Sequence, residues 1–178
     1  MTYLVAATVL SLTLTVLNLV VLLGVVARLR GLTAARPQGG GGHEVPLPVL
    51  PPGAAPEEFT ATGLDGEPVG ARDVRLVGFF TPHCSLCHER MPGFLEYAER
   101  GGMRREDVLA VLIGERDEVA GLVAELRPVA RVVVEEADGP VYRAFAVRGL
   151  PAMYLLDGRG VVRASGTDLT GFPVVAAA

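Results

Sequence analysis

A chain of 178 residues has room for one ordinary domain of roughly 100 to 200 residues, so any membrane segment or linker must come out of that allowance. A net charge of −4, no basic stripe and only 6% aromatic residues leave no electrostatic footprint for nucleic acid, which is excluded as a partner. Half of the residues are hydrophobic, and much of the excess falls in the first 27 positions, so the chain has two unlike parts.

The first part runs from Tyr3 to Ala27 without a charge; as a helix it is about 37 Å long, enough to cross a bilayer with some tilt. No Lys or Arg precedes it, as a cleavable signal would require, so residues 1–30 are read as one N-terminal transmembrane helix with a basic flank, contacting the lipid bilayer through residues 3–27. Arg28, Arg30 and Arg36 follow the span, and the positive-inside rule by itself puts what comes next in the cytoplasm. Residues 31–56 are rich in Gly and Pro, which do not assemble a packed core, and read as a tether; His43 beside Glu44 is read as solvated.

Residues 57–178 read as the folded domain. Asp65-Gly66 marks a hairpin turn in "FTATGLDGEPVGA", and "VRLVGFF" is a buried-strand run. A helix is expected from about Ser85 to Arg100, followed by a strand at "DVLAVLIG". A second helix is expected over residues 116–127, with Val119, Leu122, Val123 and Leu126 on one face. "ARVVVEE" is a third core strand, "GPVYRAFAV" a short helix opened by Pro140, and "AMYLLDGRGVVRAS" a hairpin turning at Asp157-Gly158. Parallel central strands, a terminal antiparallel hairpin and crossover helices predict an α/β sandwich.

The chemistry concentrates in "FFTPHCSLCHERMPGF", Phe79 to Phe94, which holds the only two cysteines, Cys84 and Cys87. A strand running into Cys84 and a helix beginning there put the first thiol at a helix N-terminus, where unpaired N–H groups and the dipole favour the thiolate that attacks disulfides. Cys87, one turn on, reaches back to resolve the mixed disulfide. Cys84, Cys87 and His88 also spell C-x-x-C-H, the attachment signature of c-type haem, with Met91 or Met153 as a second axial ligand. The signature, however, sits on a strand-to-helix corner in a strand-rich chain, whereas small c-type cytochromes are mainly helical. A zinc site from His83, Cys84, Cys87 and His88 lacks the usual second ligand cluster. The dithiol reading is therefore adopted, with no cofactor and no metal. His83, directly before Cys84, is a candidate tuner of its reactivity.

Three stretches then resemble the thioredoxin superfamily, in its membrane-tethered TlpA/ResA-like branch. "FTATGLDGEPV" is similar to the opening hairpin of those domains. In "LVGFFTPHCSLCHERMPGF", Cys84 and Cys87 match the active dithiol, and Pro92 matches the proline that kinks the active-site helix. In "VRGLPAMYLLDGRGVV", Pro151 matches the cis-proline beside the dithiol. The likeness covers about Phe59 to Ser165. It implies a thioredoxin-like fold, a central mixed sheet flanked by helices, and a cis Leu150-Pro151 bond whose loop is a platform for an extended substrate segment. The best likeness inside the superfamily is to methylamine utilization accessory proteins of MauD type, through the N-terminal span, the "VARLRGLTAARPQ" segment and the F-x-P-x-C-x-x-C approach. It implies a disulfide-containing protein substrate, maturation of an exported redox enzyme or cytochrome, and room for a membrane-embedded electron donor. It also implies an exocytoplasmic catalytic domain, the expectation adopted over the arginine count because the likeness includes those arginines.

The chain departs from the thioredoxin pattern in having His83 where Trp usually precedes the first cysteine, and Gly78 where the preceding strand usually buries an Asp. That missing carboxylate leaves open what deprotonates Cys87. Peroxiredoxins need a proline where Val77 stands, and copper-delivery relatives need a distal His that does not follow His88. After the hairpin the final layer is expected to be short. The reading is a membrane-anchored thiol-disulfide oxidoreductase using Cys84 as nucleophile and Cys87 as resolving thiol. Its rivals are a tethered haem electron carrier and a redox-inert binding module with the same fold.

Overall fold

The computed structural model describes residues 49–174. The transmembrane reading of residues 3–27 and most of the tether lie outside the described residues; among the described residues no helix is long and apolar enough to cross a membrane.

Five strands form the central sheet: β3 (Leu76–Phe80), β4 (Val108–Ile113), β5 (Arg131–Glu135), β6 (Ala152–Leu156) and β7 (Val162–Gly166). They lie in the order β5-β4-β3-β6-β7. β3, β4 and β5 run parallel, β6 is antiparallel to β3, and β7 is antiparallel to β6. This is the mixed sheet expected from the sequence. The uninterrupted apolar runs of β3 and β4 follow from burial on both faces. Helices α1 (Ser85–Arg100) and α2 (Ala120–Leu126) cover one face; α3 (Pro140–Ala144) covers the other. A small hairpin, β1 (Ala61–Thr62) with β2 (Pro68–Val69), adds Ala61 and Val69 to the core on the α3 side.

Alternation along each strand divides the core. Val77 and Phe79 join Leu109, Val111, Tyr154 and Phe145 on one face, while Leu76 and Phe80 join Phe94, Leu112, Leu122 and Met153 on the other. Each large side chain fully buried here, such as Phe79 or Phe94, contributes about 1.5–3 kcal/mol.

Four boundaries differ from the sequence reading. The second helix starts at Ala120, because residues 116–119 form turns before the helical ladder begins. The third ends at Ala144, where the backbone soon reverses through Ala146 at φ 47°. The β6–β7 turn is centred one residue later than expected. Asp157 precedes it, accepting the Arg159 and Val161 N–H groups, and Gly160 supplies φ 81°. The tether, assigned through residue 56, gives way to folded chain earlier. Val49 is buried, Gly53 donates to the Val162 carbonyl, Val162 donates to Ala54, and Glu57 donates to Ala144. Gly/Pro composition reads as a spacer, but these bonds reach across the fold and leave no local pattern. After β7 the chain crosses α1 as a strap, with Phe172 edge-on to Tyr97 and the Tyr97 hydroxyl donating to the Pro173 carbonyl.

Candidate active site

Parallel strands bring their C-terminal ends to one edge of a sheet, and sites form in the loops there. β3 delivers Thr81–Cys84 to that edge, β4 delivers Gly114–Val119, and antiparallel β6 begins there, immediately after Pro151.

Cys84 is the N-cap of α1, with extended backbone at φ −114° and ψ 111°. Its sulfur accepts the Cys87 backbone N–H at 3.2 Å, satisfying one of the donors that a helix start leaves unpaired. Cys84 is half-buried and Cys87 is 1% exposed, so one cysteine keeps contact with solvent while the other is closed off from it. Both are free thiols. Burial first, then the hydrogen bond of Cys84 and last its charge push the Cys87 thiol up to about 12, against the Thr81 backbone hydrogen bond, which lowers it.

The Leu150–Pro151 peptide is cis, and the Cys84 thiol points at the Leu150 carbonyl oxygen, 3.7 Å away. Leu150 is half-buried and Pro151 buried. The geometry thus gathers Cys84, Cys87, Leu150 and Pro151 at one place. Pro92 is elsewhere: it lies exposed inside α1, where its missing N–H leaves the His88 carbonyl without a helical donor. The helix continues through it from Ser85 to Arg100.

The two histidines have separate partners. His88 folds back so that Nε2 donates to the Pro82 carbonyl at 3.0 Å, closing the loop ahead of the dithiol. That contact engages the ring nitrogen a haem iron would need. His83 has its Nε2 3.4 Å from Oε2 of Glu118 on the loop after β4. Sequence reasoning missed Glu118: it precedes α2 without belonging to a motif, and only the pairing of β3 with β4 brings its loop to the dithiol.

Gly78 stands where the resemblance to thioredoxins leads to the expectation of a buried acid, and the structure leaves no room for one. A Cβ there would lie 2.6 Å from the Phe80 ring and 2.7 Å from the Phe94 ring. Those rings pack edge to face at 5.3 Å in the space a side chain would need. Aromatic packing has taken the carboxylate's place behind Cys87.

No family model matches the sequence, and no curated protein matches it. Solved structures do. A thiol:disulfide interchange protein from a Bacteroides species is 22% identical with TM-score 0.53, over 67% of this chain and 86% of that one. A thio-disulfide isomerase from Thermus thermophilus is 22% identical with TM-score 0.52, over 65% and 85%. A secreted disulfide oxidoreductase of Mycobacterium tuberculosis, homologous to DsbE of E. coli, is 18% identical with TM-score 0.51, over 67% and 87%. Likeness at these identities establishes the architecture: the chain has a thioredoxin-like α/β fold built on a mixed central sheet.

Proposed function

We propose that this chain is a thiol-disulfide oxidoreductase whose working groups are Cys84 and Cys87. The observation that carries the reading is the arrangement of the two sulfurs: a partly exposed thiol at the start of α1, a buried one a turn behind it, and the Leu150 carbonyl beside the first. The named activities of its structural neighbours agree with it.

In the reductive direction the Cys84 thiolate attacks one sulfur of a partner's disulfide. A bond forms to Cys84 Sγ, the partner's S–S bond breaks, and the departing partner thiolate takes up a proton. Cys87 then loses its proton and attacks Cys84 Sγ, which forms the Cys84–Cys87 disulfide and frees the partner's second thiol. Two electrons pass to the partner, and an external dithiol must return them. The Leu150-Pro151 loop is the platform on which the partner's extended segment lies against the sulfurs.

Cys84→Ser is expected to abolish reduction of insulin disulfides, and Cys87→Ser to accumulate a mixed disulfide with the partner, seen as a reducible adduct by mass. Turnover by Cys84→Ser overturns the reading.

The uncharged stretch from Tyr3 to Ala27 supports an anchor in the cell membrane; the likeness to MauD-type proteins supports an exocytoplasmic dithiol, against the positive-inside reading of Arg28, Arg30 and Arg36. The likeness to MauD-type accessory proteins supports a role in maturing an exported redox enzyme or cytochrome, with a membrane-embedded donor renewing the dithiol. A membrane-impermeant maleimide is expected to label Cys84 in intact cells. Labelling only after lysis places the dithiol in the cytoplasm instead.

A further inference from the structure

His83 directly precedes Cys84 in the chain, and its ring meets a carboxylate from the loop after β4. Its Nε2 lies 3.4 Å from Glu118 Oε2, and both side chains keep contact with solvent, at 69% and 44% exposure. The same Oε2 accepts the Glu115 backbone N–H at 3.3 Å, so the carboxylate is held by its own loop. Gly114 turns that loop at φ 150°, and it passes near the dithiol loop: the place of a Cβ on Gly114 is 3.4 Å from Glu118 Oε2 and 3.7 Å from Pro82 Cδ, ordinary contact distances. Glu118 is therefore held by its own loop beside His83, the residue before Cys84 in the chain.

We propose that Glu118 is a positioning residue that acts through His83, neutralising the imidazolium and so restraining the stability of the Cys84 thiolate and the oxidising strength of the dithiol. The proposal rests on the dithiol reading above. A cation beside a thiolate stabilises it and makes the couple more oxidising, and a carboxylate opposes both effects. The two members of the pair thus pull the sulfur in opposite directions. The other charged groups of the loop, Glu115, Arg116 and Asp117, are left in place in every variant below, so they do not contribute to the differences.

The test uses the full chain at pH 6, where an imidazole is ordinarily charged. Two quantities are read: the iodoacetamide alkylation rate of Cys84 and the dithiol potential in glutathione buffers. Glu118→Gln keeps an oxygen for the Glu115 N–H and loses only the charge. It is expected to raise the alkylation rate about two- to fivefold, the scale of one unit charge across several ångströms of mostly aqueous medium. The potential is expected to rise by about 10 to 20 mV, at about 30 mV per tenfold for a two-electron couple. His83→Gln is expected to lower both, the double variant to return near wild type, and Glu118→Asp to stay near wild type. An unchanged rate in Glu118→Gln, or a change in the same direction as His83→Gln, overturns the proposal. Alkylation needs only a thiol, so this outcome is separable from a wild-type protein that fails to turn over disulfides.

Discussion

In the free dithiol a Cys87 thiol held near 12 is almost wholly protonated at neutral pH. Once Cys84 is tied up in a mixed disulfide its charge no longer opposes ionisation, but burial still holds the thiol up, and Cys87 must lose its proton before it can release a partner. Position 78 supplies no acid to take it, because the Phe80 and Phe94 rings occupy the space a side chain there would need. Resolution of the mixed disulfide is therefore expected to quicken about tenfold per pH unit between about pH 7 and 10, as the thiolate fraction grows. Quenched-flow decay of the adduct checks this; a flat profile means the proton leaves by another route. The same shift bears on stability. The folded pKa lies above the ordinary 9.0, so the reduced folded state holds its proton more tightly than the unfolded chain does. Stability from this group is complete below about pH 9 and is lost as pH climbs toward 12. At this scale the sequence singled out Cys84, Cys87 and Pro151, which the fold brings to one place, and Pro92, which it does not. It gave no sign of Glu118, whose importance lies in a contact between two loops. The departure at Gly78 was visible, but its cause, two rings meeting from a strand and a helix, was not.

Elements were legible where periodicity and burial agree. β3, β4 and α1 fall where their apolar patterns put them, since a strand buried on both faces or a one-sided helix leaves a strong signal. α3 was read too long because Val147 continues the apolar pattern and is indeed buried, but only after the chain has turned back. That turn is a Schellman arrangement: Val147 donates to Tyr142 and Ala146 to Arg143, with Ala146 at φ 47° where glycine is usual. Ala146 is exposed, so a change there costs no packing. Ala146→Gly is expected to stabilise the protein by about 0.5–1 kcal/mol, the relief of left-handed strain less glycine's extra chain entropy. A higher urea midpoint with an unchanged slope is the expected record, and an unaltered or lower midpoint contradicts it.

For the whole molecule, the fold class could be read from the order of elements, while the limits of the folded unit could not. The unit that includes the domain begins at Glu44, and residues 49–57 are bonded into it. A fragment of residues 44–178 is accordingly expected to fold and to reduce insulin at the rate of the full chain, measured in detergent for both. The residues before the hairpin also do something their composition conceals. β5 and β7 are the two margins of the sheet, where unpaired backbone groups invite a second copy to add a strand. Gly53 and Ala54 close part of the β7 margin through Val162, and Leu64 donates to Val132 on the β5 margin. A version starting at Glu57 keeps the dithiol but bares part of one margin, and it should self-associate where the longer fragment elutes as a monomer. The stretch that looks like mere spacer thereby helps keep the open side of a sheet from recruiting a second copy of its own kind.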